Sequence, residues 1–396
     1  MKQHQWIATT AAVGVLALAL TGCVPNNTDS GSGSSAKTVS VKASDAACDL
    51  STQTAPSGTV TFSISNSGSD VTELEILASD KLRIVGEKEN VGPGTTPKYV
   101  AQLEAGTYYL SCKPGMVGSG VGESKFVVTD SGVDVNASTS DKKQIAQAVT
   151  NYVSYAKDQV GELVTDTQAF VTAYEAGDDA TAKALYPTAR AHYERIEPLA
   201  EKFPDLDTDM DIREADLSAG DPWTGWHRIE KDLWPPASGY TALTVAERKT
   251  LGDKLNSDTS KLYDLFYDTK FDVSLTDVSN GAVGLMDEVA TGKITGEEET
   301  WSHTDLWDFQ ANIEGAKISF ENVKAIASSK GAKGKALVKS IDADFSQLST
   351  TLGQYGSLES GYKLYTDLST AQIKELSDQV NALSEPLSKL TGVVLK

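Results

Sequence analysis

The residues best equipped for chemistry lie between Asp221 and Trp234, in the stretch Asp-Pro-Trp-Thr-Gly-Trp-His-Arg-Ile-Glu-Lys-Asp-Leu-Trp. Three of the chain's six tryptophans (Trp223, Trp226, Trp234) and one of its four histidines fall there. If the segment is helical, His227 and Glu230 stand one turn apart on one face, with Cβ atoms ~5–6 Å apart. An imidazole and a carboxylate at that spacing can share one proton or one metal ion. Two more clusters are Tyr193-Glu194-Arg195-Ile196-Glu197 and the segment Ser302–Gln310, which carries His303 and Asp305 near a helix start. Asp211 and Glu214 lie between the first two clusters. Helical bundles build metal centres from carboxylates and histidines on facing helices. Oxygen-rich ligands with one imidazole suit iron or manganese, and zinc is acceptable. Taken singly, an i, i+3 glutamate pair reads as a solvated face, and a histidine among tryptophans as a packed core residue. His-Glu-x-x-His, Gly-x-Ser-x-Gly and Walker-type glycine loops are all absent from the sequence.

The positioning elements begin after a leader. Lys2 precedes an apolar run from Trp6 to Leu20, and then Leu20-Thr21-Gly22-Cys23. A basic start, an apolar core and small residues before a cysteine make a secretory signal over residues 1–22. Leu-x-Gly-Cys resembles a bacterial lipobox, which implies cleavage before Cys23 and acylation of its thiol. The apolar run is shorter than the ~20 residues that span a bilayer. Residues 23–37, rich in Ser, Gly and Asn, read as a flexible tether. The chain has 55 Asp+Glu against 35 Lys+Arg. That balance argues against nucleic-acid binding, where basic patches supply the affinity, and favours attraction of cations.

Residues 38–130 alternate with period two between Gly, Pro and Asn turns, and predict a β-sandwich of about seven short strands. The strand Gly106-Thr-Tyr-Tyr-Leu-Ser-Cys112, running into Cys112-Lys-Pro-Gly-Met116, resembles the cupredoxin family, where such a loop carries metal ligands. A blue-copper site needs two histidines. None lies between Cys23 and His192, so that type of centre is excluded. Cys48, Cys112, Glu73, Glu75 and Met116 remain. Cys48 and Cys112 are open to two readings, a disulfide in an oxidising compartment or thiolate ligands with a carboxylate. Glu73 and Glu75 share one strand face.

Residues 131–142 read as a linker, and from residue 143 to 396 the apolar period becomes helical. Pro187 is expected to interrupt a helix and Pro198 to kink one. The acidic segment Pro204–Glu214 reads as a loop. Thr244-x-x-Glu247 and Ser369-x-x-Gln372 are capping boxes opening helices. The fold class expected is an all-β cupredoxin-like sandwich followed by an all-α imelysin-like helical bundle.

Together, Tyr-Glu-Arg-Ile-Glu-Pro, Ile-Arg-Glu, Gly-Trp-His-Arg-Ile-Glu-Lys-x-Leu-Trp and Ser-His-Thr-Asp-Leu-Trp-Asp-Phe-Gln-Ala-Asn resemble the imelysin-like family, and more narrowly its EfeO-type branch, over residues 38–396. The resemblance implies an extracytoplasmic iron-binding component; the lipobox-like Cys23, a departure from members secreted freely, implies a lipid anchor at the cell membrane. The family resemblance implies delivery of Fe2+ or Fe3+ to a membrane iron permease, with a haem-containing peroxidase in the same uptake system. It places a metal site on His227 and Glu230 with Glu194, Glu197 and Asp211. It implies a second, possible copper or zinc, site at Cys48, Glu73 and Cys112. No catalytic residues are expected. The alternatives are a metallopeptidase using the same His-x-x-Glu residues, or a surface module for haem or polysaccharide.

Overall fold

The computed structural model describes residues 38–132 and 141–396. The expected signal segment 1–22, the expected acylation of Cys23, the expected tether and most of the expected linker lie outside these residues. No helix among them is long and apolar enough to cross a membrane.

Alternation of branched apolar with polar residues builds two sheets. One has the order β2–β1–β4–β7, from Cys48–Leu50, Thr38–Ala43, Gly58–Asn66 and Lys98–Leu103. The other has the order β3–β9–β8–β5–β6, from Thr54–Pro56, Val121–Thr129, Gly106–Pro114, Thr72–Leu77 and Ile84–Val91. Nine strands thus replace the seven expected. The additional ones include the three-residue β2 and β3, too short to show a period. Val39, Val41, Phe62, Ile64, Leu74, Ile76, Leu110 and Phe126 fill the space between the sheets.

Cys48 and Cys112 are joined by a disulfide, which corrects the second metal site at Cys48, Glu73 and Cys112. Neither sulfur is a thiolate. Cys112 registers with Leu74 on the core face, whereas Glu73 registers with Lys113 on the opposite face. The two-residue period therefore directs Cys112 and Glu73 to opposite sides of one sheet.

The helices are α1 (Asp141–Glu175), α2 (Asp179–Glu194), α3 (Glu197–Ala200), α4 (Pro204–Asp211), α5 (Gly225–Leu233), α6 (Val245–Phe266), α7 (Leu275–Thr291), α8 (Asp305–Ser329), α9 (Gly331–Leu352), α10 (Thr370–Leu387) and α11 (Leu390–Val394). Both expected capping boxes form, and Ser274 with Asp277 makes a third. Pro187 sits inside α2 without ending it. The break falls earlier than Pro198, at Arg195–Ile196, and Pro198 opens α3 instead of kinking a longer helix. The acidic segment is α4, not a loop. Pro204 starts it, and Asp205 and Asp207 face the positive end of its dipole. α8 is buried along most of its length and lies against α7 and α9.

An unreduced chain lacking residues 1–23, unfolded in denaturant, should show no thiol to a chromogenic reagent. Cys112→Ser should lower the stability of the sandwich by about 2–4 kcal/mol, read as an earlier denaturant transition.

Candidate metal centre

Buried charge organises the helical half around Arg190, a wholly buried side chain of α2. Its guanidinium pairs with Glu194 (2.6 Å), Glu298 (2.6 Å), Glu299 (2.7 Å) and Asp308 (3.5 Å), and with Asp211. Glu194 follows on α2 by one turn. Asp211 ends α4. Glu298 and Glu299 lie in the segment before α8, and Asp308 is in its first turn, where the helix dipole favours a carboxylate.

α5 brings in the imidazole. It starts at Gly225, whose φ is +83°, and a Cβ there would stand 2.0 Å from the Met210 carbonyl oxygen. Only glycine allows that approach, and it sets α5 beside the end of α4. His227 Nε2 then lies 3.5 Å from Asp211 Oδ1 and 3.5 Å from Glu298 Oε1, with no hydrogen-bond partner. On the other side of the ring, Nδ1 is 3.4 Å from Glu230 Oε2. Glu230 Oε1 accepts from the backbone N–H groups of Trp301 (2.8 Å) and Ser302 (2.7 Å). Two ligand groupings share the ring: Asp211, His227 and Glu298, and His227, Glu230 and Glu299. A cavity of about 310 Å³ reaches His227, Glu230 and Glu298 past Arg213, Glu214 and Trp301.

The sequence-derived residues divide. His227, Glu230 and Asp211 converge. Glu194 and Glu197 join neither ligand grouping; both bind the buried ammonium of Lys293, Glu197 at 3.0 Å, and Asn312 Nδ2 donates to Glu194 at 3.0 Å. His303 joins neither ligand grouping; its backbone N–H donates to the Glu299 carbonyl, and its own carbonyl accepts from Tyr365. Asp305 accepts from the Glu299 N–H. Sequence reading missed Arg190, Glu298 and Glu299. The signal was present as three consecutive glutamates, 297–299, just ahead of Trp301 and the α8 start.

The carboxylates do not share one protonation state. Burial pushes Glu299 and Asp308 well above the usual range, against Arg190, with neighbouring carboxylates adding to the rise. Burial also lifts Asp211 to about 6 and Asp305 to about 7. Glu298 goes the other way despite burial, held well below its ordinary value by Lys293, His227 and Arg190. For His227, burial and Arg190 oppose the imidazolium, but the carboxylates of Glu230, Glu298 and Asp211 outweigh both and raise it to about 10.

An unfolded histidine titrates near 6.5. The stability that His227 contributes to metal-free protein is therefore complete below about pH 6.5 and lost as pH rises through about 10. The melting-temperature gap between parent and His227→Gln should close across that window. Lys293→Met leaves Glu197 without its cation and takes one of two from Glu194, and should cost roughly 3–5 kcal/mol near neutral pH. Denaturant unfolding of the two proteins measures the penalty.

Comparison with known proteins supports the family directly. The imelysin family (Peptidase_M75) matches residues 148–390, and the cupredoxin-like domain family matches residues 12–122. The iron uptake system component EfeO of Escherichia coli O157:H7 is 37% identical over 359 residues, covering 90% of this chain and 91% of its own. Those of E. coli K12 and Shigella sonnei are each 36% identical with the same coverage. With a cupredoxin-like sandwich ahead of an imelysin helical domain, and this identity along nearly its whole length, the chain belongs to the EfeO family of iron uptake system components.

Proposed function

We propose that this chain captures iron on the outer face of the cell membrane, held there by a lipid on Cys23, and passes it to a membrane permease. The observation that carries this reading is the buried Nε2 of His227, which makes no hydrogen bond and faces Asp211 and Glu298 at the wall of a cavity. A tetrahedral cation with bonds of about 2.1 Å has ligand atoms about 3.4 Å apart. The two 3.5 Å spacings fit that edge closely. One imidazole with several carboxylates suits iron, and zinc is the natural competitor. The EfeO relatives are named as iron uptake components, which supports iron as cargo.

Asp211 Oδ1 and Glu298 Oε1 are also the oxygens that Arg190 holds. Iron entering this site shares those oxygens with a permanent cation, which weakens its grip and suits a carrier that must release. The permease, and a haem-containing peroxidase of the same uptake system, are the partners expected from the family resemblance. The leader and lipobox-like cysteine support the membrane location.

The peptidase label of the imelysin family calls for a general base. Glu230 is a poor one. Burial opposes its charge, but His227 and the N–H groups of Ser302 and Trp301 hold it below its ordinary value. Binding, not hydrolysis, is the chemistry this carboxylate favours.

Isothermal titration of chelator-treated protein with iron and zinc tests the site. His227→Ala and Glu298→Gln should each weaken binding roughly 100-fold, about 3 kcal/mol. Affinity in the parent should rise with pH up to about 10, because the imidazolium must release its proton before it ligates. Unchanged stoichiometry and affinity in both variants would exclude the site.

A further inference from the structure

A second group of carboxylates lies on the sandwich, away from the helical centre. Leu74 and Ile76 of β5 enter the core, so Glu73 and Glu75 face the other way. Glu87 and Glu89 of β6 join them, with Glu75 in register with Glu87. α1 covers this face. Its Ser154 donates to Glu87 Oε1 (2.5 Å), and its Lys157 pairs with Glu89 Oε1 (3.0 Å).

Glu73 is the unmatched member. It is 3% exposed, and among the described residues its carboxylate has no hydrogen bond or ion pair. Lys113, opposite it in register, turns instead to Glu75 (3.4 Å), Glu162 (3.8 Å) and Asp158. Glu73, Glu87 and Glu89 each offer an oxygen, and these atoms all lie within 4.8 Å of one another. Burial of a carboxylate with no partner costs several kcal/mol if it is ionised. Burial accordingly raises Glu73 to about 8, against Lys113 and reinforced by Glu87 and Glu89. Among the described residues, Lys157 is the single cation paired with any of the three.

We propose that Glu73, Glu87 and Glu89 bind a hard divalent cation at the seam between the sandwich and the helical domain. The donors are carboxylate oxygens, with no sulfur or imidazole, which favours ions of the Ca2+ or Mn2+ kind over soft metals. The thiolate site considered from sequence is a different arrangement, since Cys48 and Cys112 are bonded to each other on the other side of the sheet. A bound ion supplies the charge that Glu73 lacks. It also ties β5 and β6 to α1, because Glu87 and Glu89 already hold Ser154 and Lys157.

The test uses the full chain, stripped by chelator and carrying His227→Ala and Glu298→Gln so that the helical centre is silent. Mn2+ is titrated and free ion is read by electron paramagnetic resonance. One Mn2+ per chain is expected, displaced by Ca2+. Adding Glu73→Gln and Glu87→Gln should weaken it by at least about 30-fold. Ca2+ should raise the melting temperature of the first protein and not of the second. Because glutamine keeps the size of glutamate and can still hydrogen-bond Ser154, the substitutions are mild. The same pair placed in the otherwise unaltered chain should lower total Mn2+ uptake by one ion, which guards against misfolding of the quadruple variant. No Mn2+ uptake in the silent background, or equal uptake with and without Glu73 and Glu87, overturns the proposal. Neither result bears on the helical centre, whose binding is read in separate variants.

Discussion

A guanidinium that water does not reach fixes the helical domain. Arg190 stays protonated at any ordinary pH, and an unpaired charge in its place would be very costly. Its partners come from three helices and the segment before α8: Glu194 on α2, Asp211 on α4, Glu298 and Glu299, and Asp308 on α8. None of these elements can withdraw without stranding charge. The requirement that Arg190 be satisfied therefore assembles the residues that meet His227. Here the fold and the site share one cause, since the acidic groups that could ligate a cation are those that already solvate one.

That arrangement leaves more carboxylates than cations. The protein distributes the imbalance unevenly, with Glu298 and Glu230 favouring the ionised form and Glu299 and Asp308 the neutral form. A cation entering from the cavity beside Glu298 would meet the ionised member first. Protons held deeper, on Glu299 and Asp308, make a reserve that can leave as positive charge arrives. Under the function proposed above, capture and release would be coupled to proton movement, and Arg190 would keep the oxygens from closing around a metal as tightly as a dedicated structural site does.

The sequence revealed elements with regular periods and motifs whose parts are close in sequence. The alternation of β4 and β5, the two capping boxes and the His227–Glu230 spacing all depend on neighbours within one turn or one pleat. It did not reveal α4, because an Asp-rich segment has weak helix propensity, and its proline and first-turn acids outweigh that only with Phe203 and Met210 packed in the core. Nor did it reveal the partners of Arg190. Glu298 and Glu299 lie more than a hundred residues away in sequence, and nothing local distinguishes a buried glutamate from a solvated one. Glu194 and Glu197 show the reverse error. Their motif was legible, but Lys293, which claims both, carried no local signal.

The sandwich meets the helices through the loop that resembles a cupredoxin's ligand loop. Met116, with a φ of +59°, is almost fully buried, and its carbonyl faces the Tyr263 hydroxyl at 3.5 Å. The Gly118 N–H donates to the Gly161 carbonyl of α1 (3.2 Å), and Ser119 donates to Glu162 (3.1 Å). Lys113 adds ion pairs to the same helix. A loop with no histidine and with its cysteine closed in a disulfide has no means of holding blue copper, but its polar backbone and basic side chain are well suited to docking. The disulfide fastens β8 to β2 on the core side, while Lys113 and Met116 fasten the same stretch to α1 and α6. The part of the sandwich that carries redox chemistry in cupredoxins is here the contact with α1 and α6. The seat of α1 against β6 matters to the proposed cation site because Ser154 and Lys157 of α1 hold Glu87 and Glu89 there.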